Sequence, residues 1–431
     1  MKKKISYVAL AADILHEGHV NILKTASKYG NVVVGLLTDK AIASYKKLPY
    51  LNFDQRKVII QNIKYVDKVI PQNTLDHTEN LNKIKPDYVV HGDDWKKGYL
   101  KKTRTQVIKS LSKWGGKLIE PKYTKKISSE IYKKKIYEVG TTPDIRRERL
   151  KRLINSKDLV RILESHSALT GLIIEKLKVK KNDKFFEFDG MWSSSLTDSC
   201  LRGKPDNQSV DYSTRLNGLS ETLDATTKPI IFDADNGGRI EHIPFLIKTI
   251  DRLGISAVII EDKIGLKKNS LFENQKDAQQ DTIENFCKKI QKANDSKLSE
   301  SLMIVARIES LIFNAGIKDA LNRAEAYSQA GADMIVIHSK KKQPDEVIEF
   351  AKKFKKSKNY KPLIAIPSTY SSIKESTLIK NGFKLVIYAN HLLRSSYPSM
   401  LKTAEEILLN QRSKESEKKI SSISEVINLI R

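Results

Sequence analysis

Short apolar runs, each closed by polar or charged residues, recur along this chain and set its elements. PIIF ends at Asp233, AVIIEDK carries Glu261 and Asp262, and MIVARIES, GADMIVIHSK, KPLIAIPST and FKLVIYANH follow at similar intervals. Runs that are apolar at every position predict strands buried on both faces, as in a parallel sheet. With helical stretches between them they give the rhythm of a (β/α)8 barrel. Nearer the start, Ile5–Leu10, NVVVGLLTD, YVDKVIP and PDYVVHGDDW alternate with helical segments. That alternation predicts a small Rossmann-like, doubly wound sheet, with Ile22, Leu23 and Ala26 on the inner face of its first helix. The fold class is α/β in both parts. NSKDLVRILESHSALTGLIIEKL reads as one helix or two opening the second part, and SSISEVINLIR as a final docking helix.

At 431 residues the chain exceeds one typical domain. The charged stretch KKKIYEVGTTPDIRRERLKRL lies between the two patterns, with Pro143 as punctuation and Thr142 or Asp144 able to cap a following helix. The expected division is 1–137, a linker 138–148, and a barrel over 149–431.

Net charge is +26, from 77 basic against 51 acidic residues. The lysines are spread along the whole chain and not interleaved with aromatics, which argues against a nucleic-acid partner and suits small anionic substrates. No run of about 18 apolar residues occurs, and MKKKISYVALAADILHEGH breaks into charge at once, so no membrane partner and a cytoplasmic location are expected. Cys200 and Cys287 stand far apart without CxxC spacing, which gives no disulfide framework and no zinc site.

The chemistry gathers where two successive apolar runs end in carboxylates: Asp233 and Asp235 in FDADNGG, then Glu261 and Asp262. Acidic groups at parallel strand tips suit a hard divalent ion, Mg2+ before zinc, at a solvent-facing barrel mouth. The competing reading is that each merely caps a following helix. The segment GLKKNS behind them reads as a mobile basic loop with a flexible point at Gly265.

DAD, then EDKxxxKxNSL, VARIES and AEAYSQAGADMIVIHSKK resemble the phosphoenolpyruvate mutases of the isocitrate lyase superfamily, from about residue 145 to the end. The resemblance implies Asp233, Asp235 and Glu261 at the metal, with Asp233 the direct ligand. It places Asp206, from RGKPDN, near the metal and the reacting centre. Trp192 in WxSxL would line the pyruvyl pocket, with Ser194 and the Leu196 backbone on phosphoryl oxygens. Arg307, His338 and Asn269 would hold the transferring group, and Lys267 belongs to the same loop. Dimers or tetramers are the superfamily habit.

The first domain resembles the cytidylyltransferases of the glycerol-3-phosphate type, through Asp13, His16 and His19 in HEGH, Lys46 and Lys47, Arg56 in FDQRK, and Asp93 in GDDW. HxGH at a helix start puts two imidazoles where a phosphate can sit. The resemblance implies nucleotidyl transfer from CTP to a phosphate or phosphonate monoester, with lysine and arginine neutralising the triphosphate. Where that family carries RTxGIST this chain has KYTKKISS, which keeps Ile127, Ser128 and Ser129 but displaces arginine and glycine. Lysine loses the bidentate fork, so a domain that only binds nucleotide, or only packs, stands as the other reading.

The implied reaction moves a phosphoryl group between the enol oxygen and C3 of a three-carbon acid. Phosphonopyruvate hydrolase is the nearest rival, and Asn269 in the loop favours isomerisation. A carbon–carbon lyase is disfavoured because its cysteine-bearing loop KxCGH is here KIGLKKNS. A scaffold without catalysis is the reading from a different class.

Overall fold

The computed structural model describes residues 3–96, 98–122, 140–182, 184–265, 267–271 and 278–430. The chain divides into two units, Met1–Val139 with Asn155–Lys157 and Lys180–Phe185, and Gly140–Ile154, Asp158–Val179 and Phe186–Arg431.

In the first unit the strands Ile5–Leu10, Asn31–Leu37, Lys68–Gln72, Tyr88–Val90 and Lys117–Ile119 form one parallel sheet in the order third, second, first, fourth, fifth. Val8 and Val34 face one apolar layer, Tyr7 and Leu37 the other, as the fully apolar runs required. Leu23 and Ala26 are buried in the helix Glu17–Ser27 and Ile22 packs beside them. The fifth strand, GKLIE, was too short and too polar at its ends to stand out in the sequence.

In the second unit eight strands close a parallel barrel: Val160–Glu164, Gly190–Ser193, Ile230–Asp233, Ala257–Glu261, Met303–Ile308, Met334–Ile337, Leu363–Ala365 and Phe383–Tyr388. The eighth pairs with the first, Leu385 opposite Val160, which completes the ring. Amphipathic helices cover it. In Ile243–Arg252 the residues Ile243, Leu246, Ile247 and Ile250 are buried at helical spacing, each worth about 1.5–3 kcal/mol on leaving water.

Two expectations are corrected. The segment 155–177, read as helical throughout, contains the first barrel strand before the helix Ala168–Lys176, because VRIL is buried without alternation and its period is ambiguous. The stretch read as a linker is helical from Pro143, within Pro143–Ser156: Pro143 starts the helix and Thr142 Oγ1 accepts from Ile145 N at 3.4 Å. The last barrel helix, His391–Asn410, has no buried residue, and Ile423–Ile430 follows it. Among the described residues no helix is long and apolar enough to cross a membrane.

Candidate active site

The third and fourth barrel strands deliver the acidic groups to the carboxyl end of the barrel. Asp233 ends the third strand, and Asp235 follows with φ +49°, a left-handed conformation uncommon for a residue with a side chain. The turn is closed by Gly237 N donating to Ala234 O at 2.8 Å and Glu261 N donating to Asp235 O at 2.7 Å. Gly237, at φ +77°, packs so closely that an added Cβ would lie 3.1 Å from Ile260. Asp233, Asp235 and Glu261 are 7%, 3% and 3% exposed, so the expectation that they face solvent is corrected. Asp262 turns away from the pocket and pairs with Arg323, Tyr327 and Gln280. Its role is to tie the barrel wall.

The loop is folded onto these carboxylates. Lys267 Nζ is 2.6 Å from Asp206 Oδ1 and also meets Asp235 and the Ser195 hydroxyl. Asn269 Nδ2 donates to Asp206 Oδ2 at 3.0 Å. Ser270 Oγ donates to Glu309 Oε2 at 2.6 Å. Beside Glu261, on the neighbouring fifth strand, Arg307 approaches Glu309 through Nε and lies 2.9 Å from His338 Nδ1, 3.1 Å from Ser270 Oγ and 3.3 Å from Glu261 through Nη2. His338 Nδ1 is also 2.9 Å from Glu309. Trp192 lies within the second strand, 2% exposed; Ser194 precedes the helix Ser195–Leu201, and Leu196 sits in its first turn. One pocket is lined by Trp192, Ser194, Leu196, Asp206, Asp233, Glu261, Lys267, Asn269, Arg307 and His338.

Burial raises the pKa of Asp235, only partly offset by Lys267, and raises Glu261 to about 7 against the pull of Arg307. Burial also acts on Asp233, but Lys267, Arg307 and Arg215 together hold it below the ordinary carboxylate value. Burial and Arg307 lower His338, which favours the neutral imidazole. Lys267 is raised by Asp235, Asp233 and Asp206 despite burial, so it stays an ammonium.

Hard oxygens suit Mg2+ in chemical type, and the buried Asp235 Oδ1 is held in an ion pair by the Lys267 ammonium. Among the described residues no three acidic or imidazole groups already converge as a metal cage. The Lys267 ammonium supplies the positive charge among them.

Several groups here had no reading in the sequence. Glu309 lies two residues beyond Arg307 in VARIES, a spacing that puts both on one face of the strand end and could have revealed it. Arg215, in the helix Tyr212–Ala225, bonds Asp198 Oδ2 at 2.9 Å and Asp233 O at 2.6 Å, and nothing local marked it. Ser195 Oγ donates to Asp233 Oδ2 at 3.0 Å.

In the first unit His16 caps the helix Glu17–Ser27, its Nδ1 accepting from Gly18 N at 3.2 Å, while His19 Nδ1 accepts from His16 N at 3.4 Å. The rings are 4.0 Å apart. With both Nδ1 atoms accepting, the protons sit on Nε2. Burial lowers His16 and brings His19 to about 3, so both are neutral at pH 7. Lys46 is near enough to His19 to contribute to that lowering. Asp13 is 2% exposed and accepts from Tyr50 N at 2.6 Å. Arg56 is corrected from a triphosphate contact to a buried clamp: at 0% exposure it donates to Ala11 O, Leu37 O, Leu51 O and Asp39. Asp93 opens the short helix Asp93–Lys96, and Ser128 lies outside the described residues.

An eight-stranded barrel with strand-end carboxylates facing a buried arginine and histidine defines an enzyme of the α/β-barrel class built for a small anionic ligand. The family model described as phosphoenolpyruvate phosphomutase matches residues 150–408, and one described as cytidylyltransferase-like matches residues 11–135. The phosphoenolpyruvate phosphomutase of Tetrahymena pyriformis is 35% identical over 283 residues, covering 65% of this chain and 89% of that protein. The solved structure of phosphonopyruvate hydrolase with oxalate and Mg2+ superposes with a TM-score of 0.59 at 26% identity, covering 67% of this chain and 95% of the other. Glycerol-3-phosphate cytidylyltransferase of Bacillus subtilis is 36% identical over 97 residues, 22% of this chain and 74% of that protein. The chain belongs to the phosphoenolpyruvate phosphomutase family and carries a cytidylyltransferase-like domain ahead of the barrel.

Proposed function

We propose that the barrel interconverts phosphoenolpyruvate and 3-phosphonopyruvate, as an intramolecular phosphotransferase that makes the carbon–phosphorus bond of phosphonate biosynthesis. The observation that carries this reading is the meeting, in one pocket, of strand-end carboxylates with Arg307 and His338 beside a loop that brings Lys267 and Asn269. Phosphoryl transfer through a loose transition state needs positioning and charge stabilisation rather than a covalent nucleophile. Arg307, His338, Asn269 and Ser270 would hold the phosphoryl oxygens, with Arg307 supplying its planar fork. Trp192 would cover the pyruvyl plane. Asp233, Asp235 and Glu261 would hold Mg2+, which supplies Lewis-acid stabilisation of the enolate when bound. Isomerisation over hydrolysis is supported by Asn269, which lines the pocket and can hold the transferring group while its Nδ2 also reaches Asp206. The test is 31P NMR of the purified chain with phosphonopyruvate and Mg2+. Phosphoenolpyruvate is expected, and inorganic phosphate with pyruvate in its place would make the protein a hydrolase.

For the first unit the reading is transfer of a cytidylyl group from CTP to a phosphonate, supported by two neutral imidazoles at one helix start. Pyrophosphate release with 2-hydroxyethylphosphonate tests it; no release with any phosphate or phosphonate acceptor leaves a nucleotide-binding or packing role. We read the protein as a cytoplasmic homo-oligomer of dimer or tetramer size, since the helix His391–Asn410 keeps none of its residues buried.

A further inference from the structure

Asn390 follows the eighth barrel strand and stands at the cap position of the helix His391–Asn410. Asparagine at that position ordinarily turns its carboxamide back to accept from amides of the first turn. Here no side-chain cap bond forms. Glu164, at the end of the first barrel strand, caps the helix instead. Its Oε2 accepts from Leu392 N at 2.9 Å and Leu393 N at 3.3 Å, while Oε1 meets His166 Nδ1. The Asn390 side chain is thereby left to the pocket that Trp192, Asp233, Arg307 and His338 line. It is 8% exposed, and its Oδ1 is buried without a hydrogen-bond partner among the described residues. Leaving such a group unpaired is costly, and an orphan of this kind in a ligand pocket marks a bond the ligand can complete. A half-turn of the last torsion exchanges oxygen and nitrogen in the same volume, so the site offers a donor as well as an acceptor.

We propose that the Asn390 carboxamide donates to the phosphoryl oxygens of the bound substrate and is a binding residue for that group. This rests on the phosphoryl-transfer reading of the same pocket. Asp233 and Glu261 end the third and fourth strands, and in a ring of eight the seventh and eighth lie across the mouth from them. A phosphoryl group is repelled from the carboxylate side and stabilised where donors stand. Arg307 on the fifth strand, His338 after the sixth and Asn390 after the eighth form that arc. Glu164 frees Asn390 for it by capping the helix in its place.

The experiment compares two ligands by steady-state kinetics on the full chain with Mg2+: the KM for phosphonopyruvate, and the inhibition constant of oxalate, which carries no phosphoryl group. Asn390→Ala is expected to raise the KM about tenfold, the loss of one bond to a charged group, and to leave the oxalate constant within about twofold. Asn390→Asp, of equal size but negative at neutral pH, should raise the KM further and carries the comparison if the alanine variant unfolds. A KM unchanged in either folded variant, or both constants raised alike, overturns the assignment. A wild-type chain that does not turn phosphonopyruvate over overturns the proposed function together with this inference.

Discussion

The Asn269 carboxamide donates to Asp206 Oδ2 at 3.0 Å while its own Oδ1 accepts from Leu271 N at 3.0 Å. A loop residue is thus fixed against a carboxylate that lines the pocket. Asn269→Ala should free that oxygen and remove one phosphoryl donor. Mutase turnover is expected to fall by about tenfold or more, with phosphate and pyruvate appearing among the products. Phosphorus NMR reads both, and an unchanged mutase rate would reduce Asn269 to an ordinary loop residue.

Lys267 lies between Asp206 and Asp235, both of which lose their counter-ion if it is removed. Breaking a buried pair by deleting one partner costs about 3–5 kcal/mol, so Lys267→Met should lower the melting temperature of the metal-free protein. A divalent cation would then meet a more negative pocket and restore more stability than it gives the wild type. Thermal unfolding with and without Mg2+ measures this. Equal Mg2+ shifts in the two proteins would detach Lys267 from the metal site.

Asp233 is buried and accepts from Ser195 Oγ at 3.0 Å and Asp235 N at 3.2 Å. Asp233→Asn keeps an acceptor for the Asp235 amide, and the Ser195 hydroxyl can turn to accept from the new amide group, where alanine would strand both, so folding should survive. Activity is expected to fall on the order of a hundredfold or more through lost metal binding. Near-normal turnover in a folded Asp233→Asn protein would remove Asp233 from the metal site.

The strand ends were legible because parallel strands buried on both faces read as unbroken apolar runs, and their first polar residues, Asp233, Glu261 and Arg307, face the pocket. The first strand, Val160–Glu164, was not, since five apolar-rich residues beside a helix have no period of their own. Burial was misjudged for the same groups: the sequence shows a basic loop over the site but not that Lys267 is already folded onto Asp206 and Asp235. Arg56 illustrates a further limit. FDQRK marks an arginine without saying that four partners within its own unit consume the guanidinium. Asn390 was invisible because its release depends on Glu164, far earlier in the chain, taking the cap.

His77, in the first unit, is 5% exposed and its Nδ1 has no hydrogen-bond partner among the described residues. Burial lowers its pKa to about 4, from 6.5. The unfolded chain therefore binds a proton between pH 6.5 and 4 that the folded form refuses. Stability contributed by the neutral ring is complete above pH 6.5 and falls as pH drops towards 4, by about 3 kcal/mol at the limit. Urea unfolding of the first unit at pH 7.5 and pH 5 should show this loss, and His77→Phe should reduce the slope by its own share while His16 and His19 keep theirs. Equal pH slopes in the two proteins would place the acid sensitivity elsewhere.

The helix His391–Asn410 carries an apolar stripe that the described residues leave open: Tyr397 is 65% exposed, Met400 59%, Leu401 46% and Leu408 78%. Residues 397, 400, 401, 404 and 408 share one helical face by their spacing of three and four. Elsewhere the barrel helices bury such faces fully, as Ile243–Arg252 does. Exposed apolar stripes of this length mark association surfaces, and a second copy offers an equal stripe to cover it. Static light scattering of the full chain is expected to give a mass of two or four subunits. Leu401→Glu with Leu408→Glu places charge in the stripe without touching the pocket, so smaller species should appear while the barrel stays folded by circular dichroism. A wild-type monomer, or an unchanged mass for the double variant, would mean that this helix face is not the contact between subunits.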